Sequence, residues 1–229
     1  MTGFAPLVDA EAATWVRSER SAAPGSVGWL VPGEFERHVA IRHPMSVSVD
    51  APLQWSVAAD AAGMSLQNVR HTAGLVDKLA DAKVSDLGLE HQRALISRAR
   101  AGLLPQEYRA ALIETLGGNA HDTTTVFAVW DGWAATPPDV REGTHVLFGS
   151  RGWFLCAAEA HMAVVGFRDG LLDFGLGPGM WWPRDRSRVV VSDTDLEISY
   201  VGCSARQADA LLESEIECFT VDRDTPITW

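Results

Sequence analysis

The run Thr124-Thr125-Val126-Phe127-Ala128-Val129-Trp130-Asp131-Gly132-Trp133 marks the point where the chain changes character. Before it, apolar residues recur mostly at helical spacing. After it they come in short β-branched and aromatic bursts, at residues 145–148, 153–159, 163–167 and 188–191. The bursts are separated by turn signals: Thr136-Pro137-Pro138, Gly149-Ser150-Arg151-Gly152 and Arg168-Asp169-Gly170. Ser204 then caps a helix over 205–212, and 218–221 reads as a last strand.

Upstream, residues 9–20 predict a short amphipathic helix with Ala12, Trp15 and Val16 on its apolar side, followed by a loop at 21–26. Strands are expected at 27–31 and 35–41, joined by Pro32-Gly33. The middle reads as helices at 54–62, 65–80, 89–101 and 105–116, the last opened by Pro105 and stopped by Gly117-Gly118. Strands and helices are thus segregated. This predicts an α+β fold, with a mostly antiparallel sheet formed largely by the C-terminal half and packed with helices from residues 54–117. The expectation is a single domain over 1–229, within which 54–118 forms a helical subregion.

Composition narrows the function classes. The 229 residues carry a formal charge of −11 and 47% hydrophobic residues, which describes a globular acidic chain. Such a balance disfavours nucleic acid and anionic membrane surfaces and favours a basic partner. Lys78 and Lys83 are the only lysines among 19 basic residues, a bias that a GC-rich coding genome produces without functional cause. Cys156, Cys203 and Cys218 form neither a disulfide framework nor a CxxC pair. Asp9 and Glu11 interrupt any signal-peptide pattern, and no apolar run nears the ~18 residues of a membrane span, so a cytoplasmic location is expected.

Nine tryptophans are many for this length, and Trp130, Trp133, Trp181 and Trp182 flank turn-like positions. Indoles there either grip a ligand or close one side of the core. Arg184 and Arg186 would share one face of an extended segment, with Asp185 on the other. They would hold a carboxylate or phosphate, or else pair with the acids that follow. Asp193, Asp195 and Glu197 alternate as on one strand face, and arginine pairing rather than a bound metal is the expectation. No serine elbow, phosphate loop, dinucleotide fingerprint or metal-ligand spacing occurs. The candidate ligand- or partner-binding residues are therefore Trp130, Asp131, Trp133, Trp181, Trp182, Arg184, Arg186 and Asp195. No catalytic residue, metal or cofactor is assigned.

The segments Leu30-Val31-Pro32, His43-Pro44, Trp55, Phe127-Ala128-Val129-Trp130-Asp131-Gly132 and Trp181 to Gly202 together resemble a family of actinobacterial proteins. That family shares a Trp-Trp-Pro-x-Asp-Arg motif running into an acidic strand that ends in Tyr-Val-Gly, and it implies no particular activity. Leu104-Pro105-Gln106-Glu107-Tyr108-Arg109, with Leu112 and Gly117-Gly118, is similar to the helix motif of the SUKH superfamily, whose bacterial members include toxin-binding immunity proteins. The reading is a non-catalytic protein that binds a protein or small ligand through a tryptophan-rich surface. The alternatives are an immunity-type protein neutralising a basic toxin, and a carboxylate- or metal-dependent hydrolase.

Overall fold

A computed structural model describes residues 3–8, 10–18, 22–48, 51–69, 71–81, 99–102, 104–117, 125–134, 136–148, 151–166 and 177–227. The first elements are β1 (Ala5–Pro6), α1 (Ala10–Ser18), α2 (Val27–Leu30), β2 (Arg37–Arg42), β3 (Met45–Ser48), β4 (Ala51–Leu53) and α3 (Trp55–Ala61). A 3-10 turn at Leu66–Asn68 precedes α4 (Thr72–Asp81) and α5 (Gln106–Thr115). Then come β5 (Thr125–Trp130), α6 (Pro138–Arg141), β6 (His145–Phe148), β7 (Arg151–Ala158), α7 (Met162–Val165), β8 (Met180–Pro183) and β9 (Val189–Val191). The chain closes with β10 (Ile198–Cys203), α8 (Ala205–Leu212) and β11 (Cys218–Val221).

Nine strands form one antiparallel sheet in the order β1-β7-β5-β8-β9-β10-β2-β11, with β6 also paired to β7. This is the α+β fold expected, and seven of the nine strands come from residue 125 onward. Among the described residues no helix is long and apolar enough to cross a membrane.

The sheet is buried on both faces. Along β5, Phe127 and Val129 enter one core while Val126 and Ala128 enter the other. Leu112, Met162 and Leu211 bring α5, α7 and α8 onto the first face; Trp15, Val16, Val27 and Leu30 bring α1 and α2 onto the second. Period-2 side chains with apolar cover on both sides make a strand apolar throughout, which explains runs such as Val189-Val190-Val191.

A third, smaller core joins the β3–β4 hairpin to α3 and α4 through Met45, Trp55, Ala58, Leu75 and Leu79. The helices at 54–117 therefore do not act as one layer: α5 packs on the main sheet, while α3 and α4 close the smaller core. Both smaller-core helices borrow acids from distant segments for their starts. Glu217 accepts from the backbone N–H of Trp55 (2.7 Å) and Ser56 (2.8 Å), and Glu197 accepts from Thr72 N–H (2.8 Å). Carboxylates at these positions satisfy the orphan donors and oppose the helix dipole.

Several expectations are corrected. Residues 27–30 are a helical turn, not a strand, because Val27 and Gly28 donate to Thr225 O and Arg223 O and are drawn against the C-terminal segment. Residues 162–165 are also helical and stop at Gly166, whose φ of +67° suits glycine. The helix expected over 65–80 is split, with the 3-10 turn before α4. The helix expected over 89–101 falls mainly outside the described residues.

Asp193 to Glu197 is a turn between β9 and β10 rather than a strand. Asp193 Oδ1 accepts from Asp195 N–H (3.0 Å), and Asp193 O accepts from Leu196 N–H (3.1 Å). An Asx-type turn outcompetes the ladder at this position. Its three acids consequently point to different duties.

Candidate functional site

The end of β5, where it leaves the sheet beside β7 and β6, gathers most of the polar and aromatic chemistry. Trp130 pairs across to Trp153, and Asp131 N–H donates to Gly152 O (3.0 Å). Asp131 Oδ2 accepts from His145 Nε2 at 2.9 Å, so that nitrogen carries the proton. Gly152 lies directly beneath this pair, and a Cβ there would collide with the Asp131 carboxylate. His145 also packs on Phe154, with ring centroids 5.1 Å apart.

Past Asp131 the chain turns at Gly132, where a side chain would strike the Trp130 ring. This brings Trp133 edge-on to Trp130, with centroids 6.4 Å apart and planes at 88°. Both indoles stay partly exposed. Arg141 fixes the turn from below, donating to the carbonyls of Thr136 (3.0 Å) and Ala134 (3.1 Å).

On the other face of the same sheet end, Arg151 lies over Trp130, 5.8 Å from its centroid. Its guanidinium donates to Thr194 Oγ1 and Asp195 Oδ2 and stands 3.3 Å from Asp193 Oδ1. Burial raises the Asp193 pKa above its ordinary value, against the Asp195 N–H bond and the Arg151 charge, which both lower it. The arginine thereby ties the β6–β7 hairpin to the β9–β10 turn.

The acids thus meet an arginine, as expected, but it is Arg151 and not Arg184 or Arg186. Arg184 is exposed in the turn after β8. Arg186 adopts φ of +59° and reaches Glu11 (3.7 Å) and the Trp15 ring (5.6 Å) on α1. Trp181 and Trp182 do not form a surface either. They are successive residues of β8, 3% and 1% exposed, and point into opposite cores. Among the described residues no three of His, Cys, Asp and Glu converge in a geometry suited to a metal ion.

Asp185 holds its loop locally, its Oδ1 accepting from Ser187 N–H at 2.9 Å, a bond that lowers its pKa. Both groups are exposed, so water replaces the bond when it is lost. Asp185→Ala is expected to lower stability by less than about 1 kcal/mol in urea unfolding. A loss above about 2 kcal/mol would reveal a buried partner.

A second polar group lies between the main sheet and the smaller core. His43 Nδ1 is 2.7 Å from Arg100 O, and Nε2 is 2.7 Å from Ser199 Oγ, which is 2.5 Å from Ser192 Oγ. A carbonyl only accepts, so Nδ1 donates and Nε2 of the neutral ring accepts from Ser199. The backbone carbonyl of His43 takes Trp55 Nε1 at 2.7 Å. His43 and Ser199 are both 0% exposed, and burial lowers the His43 pKa to about 4.

The fold and these sites define an acidic α+β protein with a sheet enclosed on both faces and one aromatic, carboxylate-lined corner. Comparison with protein-family models, with curated proteins and with solved structures gives no match.

Proposed function

We propose that the protein is a non-catalytic binding protein that presents the Trp130–Trp133 corner to a basic group of a partner. The observation that carries this is a charge excess beside exposed aromatic surface. Asp131 on one face of the sheet end, and Asp193 and Asp195 on the other, outnumber the guanidinium groups of Arg141 and Arg151 by one negative charge when all are ionised. The two partly exposed indoles flank Asp131 in sequence, and Arg151 lies over the Trp130 ring. A lysine or arginine gains from both components, the carboxylates by charge and the Trp133 ring, since Arg151 already lies over Trp130, by cation–π attraction. Leu147, 59% exposed on the adjoining strand β6, adds apolar area. Binding rather than catalysis is further supported by the sealed position of the Ser199–His43 pair, which no substrate reaches without opening the fold.

The test is a fluorescence-anisotropy titration with labelled octa-arginine, at low and at physiological salt. Asp131→Asn with Asp195→Asn should weaken binding about threefold to tenfold. Glu213→Gln with Glu215→Gln removes the same charge from the exposed region at the end of α8 and should have a smaller effect. Equal losses from the two double variants would mean that net charge alone attracts the peptide, and the corner reading would be lost.

A further inference from the structure

A groove opens at the other end of the sheet, where β2 and β11 diverge. It has a volume of about 700 Å3, within the range of small-molecule sites. Phe35, His38, Phe219 and Val221 line it, and the exposed Arg37 and Asp222 stand at its rim. The Phe35 ring can lie directly on β10 only because residue 202 is glycine; a Cβ there would meet the ring.

His38 makes this groove more than a surface depression. The residue is 6% exposed, yet its Nε2 has no hydrogen-bond partner among the described residues. Its ring stands edge-on to Phe35, with centroids 6.3 Å apart. Burial, with the nearby Arg223 charge, holds the imidazole below its ordinary pKa and therefore neutral at neutral pH. An orphaned polar atom of this kind is costly, and a ligand that supplies its partner recovers the cost.

The charges around the groove are divided between internal and free duties. Glu36 accepts from Ala205 N–H (2.7 Å) at the start of α8, and Arg223 pairs with Glu34 (3.4 Å). Arg37 donates to the neighbouring Glu36 carbonyl (2.9 Å) and, among the described residues, pairs with no carboxylate. The rim thus offers one cation and one anion beside an aromatic lining.

We propose that the groove binds a small zwitterionic aromatic molecule, of the chemistry of an aromatic amino acid. Its ring packs against Phe35 and Phe219, and, with a shift of the side chains that seal Nε2 from solvent in the free protein, a ring N–H or O–H pairs with His38 Nε2. Its carboxylate meets Arg37 and its ammonium meets Asp222. This site lies apart from the Trp130–Trp133 corner and stands or falls independently of it.

The experiment is a two-dimensional 1H–15N NMR titration with L-tryptophan, tryptamine and indole-3-propionate. L-tryptophan should give saturable shifts at residues 35–38 and 219–222. Tryptamine and indole-3-propionate, each lacking one charge, should bind more weakly by about fivefold or more. His38→Leu should weaken L-tryptophan about tenfold. Arg37→Gln, at an exposed position that leaves the core intact, should bring L-tryptophan close to tryptamine in affinity and serves if His38→Leu fails to fold. Absence of saturable shifts at these residues, equal binding of the three probes, or an Arg37→Gln variant that binds L-tryptophan unchanged would overturn the proposal.

Discussion

Between pH 6.5 and pH 4 the fold is expected to lose about 3 kcal/mol of stability through His43 alone, taking its pKa from 6.5 in the unfolded chain to about 4 in the native state. The sign follows from proton uptake. Above pH 6.5 the ring is neutral in both states and the contribution is complete. As the pH falls below 6.5, the unfolded chain binds a proton that the native state refuses, so stability declines. Below about pH 4 both states are protonated and the loss levels off. The refusal has a structural origin: Nδ1 already donates to Arg100 O, and Nε2 accepts from Ser199. A proton on Nε2 would face the Ser199 O–H donor inside a fully buried site unless Ser199 reversed, and Ser192 behind it with it.

Urea unfolding at pH 7.0 and 4.5 checks this, for the parent chain and for His43→Gln. The parent should lose more stability on acidification than the variant, by about 2–3 kcal/mol; the other carboxylates and His38 titrate in both and cancel. His43→Gln itself should be destabilised at pH 7, since the glutamine breaks the chain of bonds from Ser192 to Arg100. Identical pH dependences, or an imidazole NMR titration of His43 near pH 6.5, would sink the assignment.

The elements legible in the sequence are those whose signals are local. Ser204 and Gln207 form a capping box, with Gln207 N–H to Ser204 Oγ at 3.3 Å and Ser204 N–H to Gln207 Oε1 at 3.1 Å, and α8 spans the residues expected of it. The strand at 218–221 and the helix after Pro105 were equally readable. What failed was whatever depended on partners. Val27 to Leu30 carries β-like residues, but its amide protons are claimed by Arg223 and Thr225, almost two hundred positions away. The acids at 193, 195 and 197 alternate as in a strand, yet one holds its own turn, one binds Arg151 and one caps α4. Arg151 itself sat in an apparent hairpin loop, and only the pairing of β7 with β5 brings it to Trp130. His38 gave no signal, and His43 entered only through the His43-Pro44 segment of the resemblance, because an isolated histidine shows neither its burial nor its neighbours.

Replacing Trp182 by alanine is expected to cost about 3–5 kcal/mol, enough to unfold much of a marginal domain at ambient temperature. Trp182 is 1% exposed, pairs across to Val126 and meets Trp15 of α1 with ring centroids 5.4 Å apart. It is therefore a contact that fixes α1 on the sheet, and its loss leaves a large void in the second core. Trp181, one residue earlier, points into the opposite core and should cost a similar amount. Trp133 offers the contrast: it is partly exposed at the turn after β5, and Trp133→Ala should cost roughly 1 kcal/mol or less beyond its edge-on contact with Trp130. Chemical denaturation of the three variants separates the two meanings of the tryptophan motif. If Trp182→Ala retains parental stability, the motif is not a core device and belongs again among surface residues. If it collapses the fold while Trp133→Ala does not, the Trp-Trp pair is spent on joining two layers. In that case, among these tryptophans, the Trp130–Trp133 corner is the one left free to meet a partner.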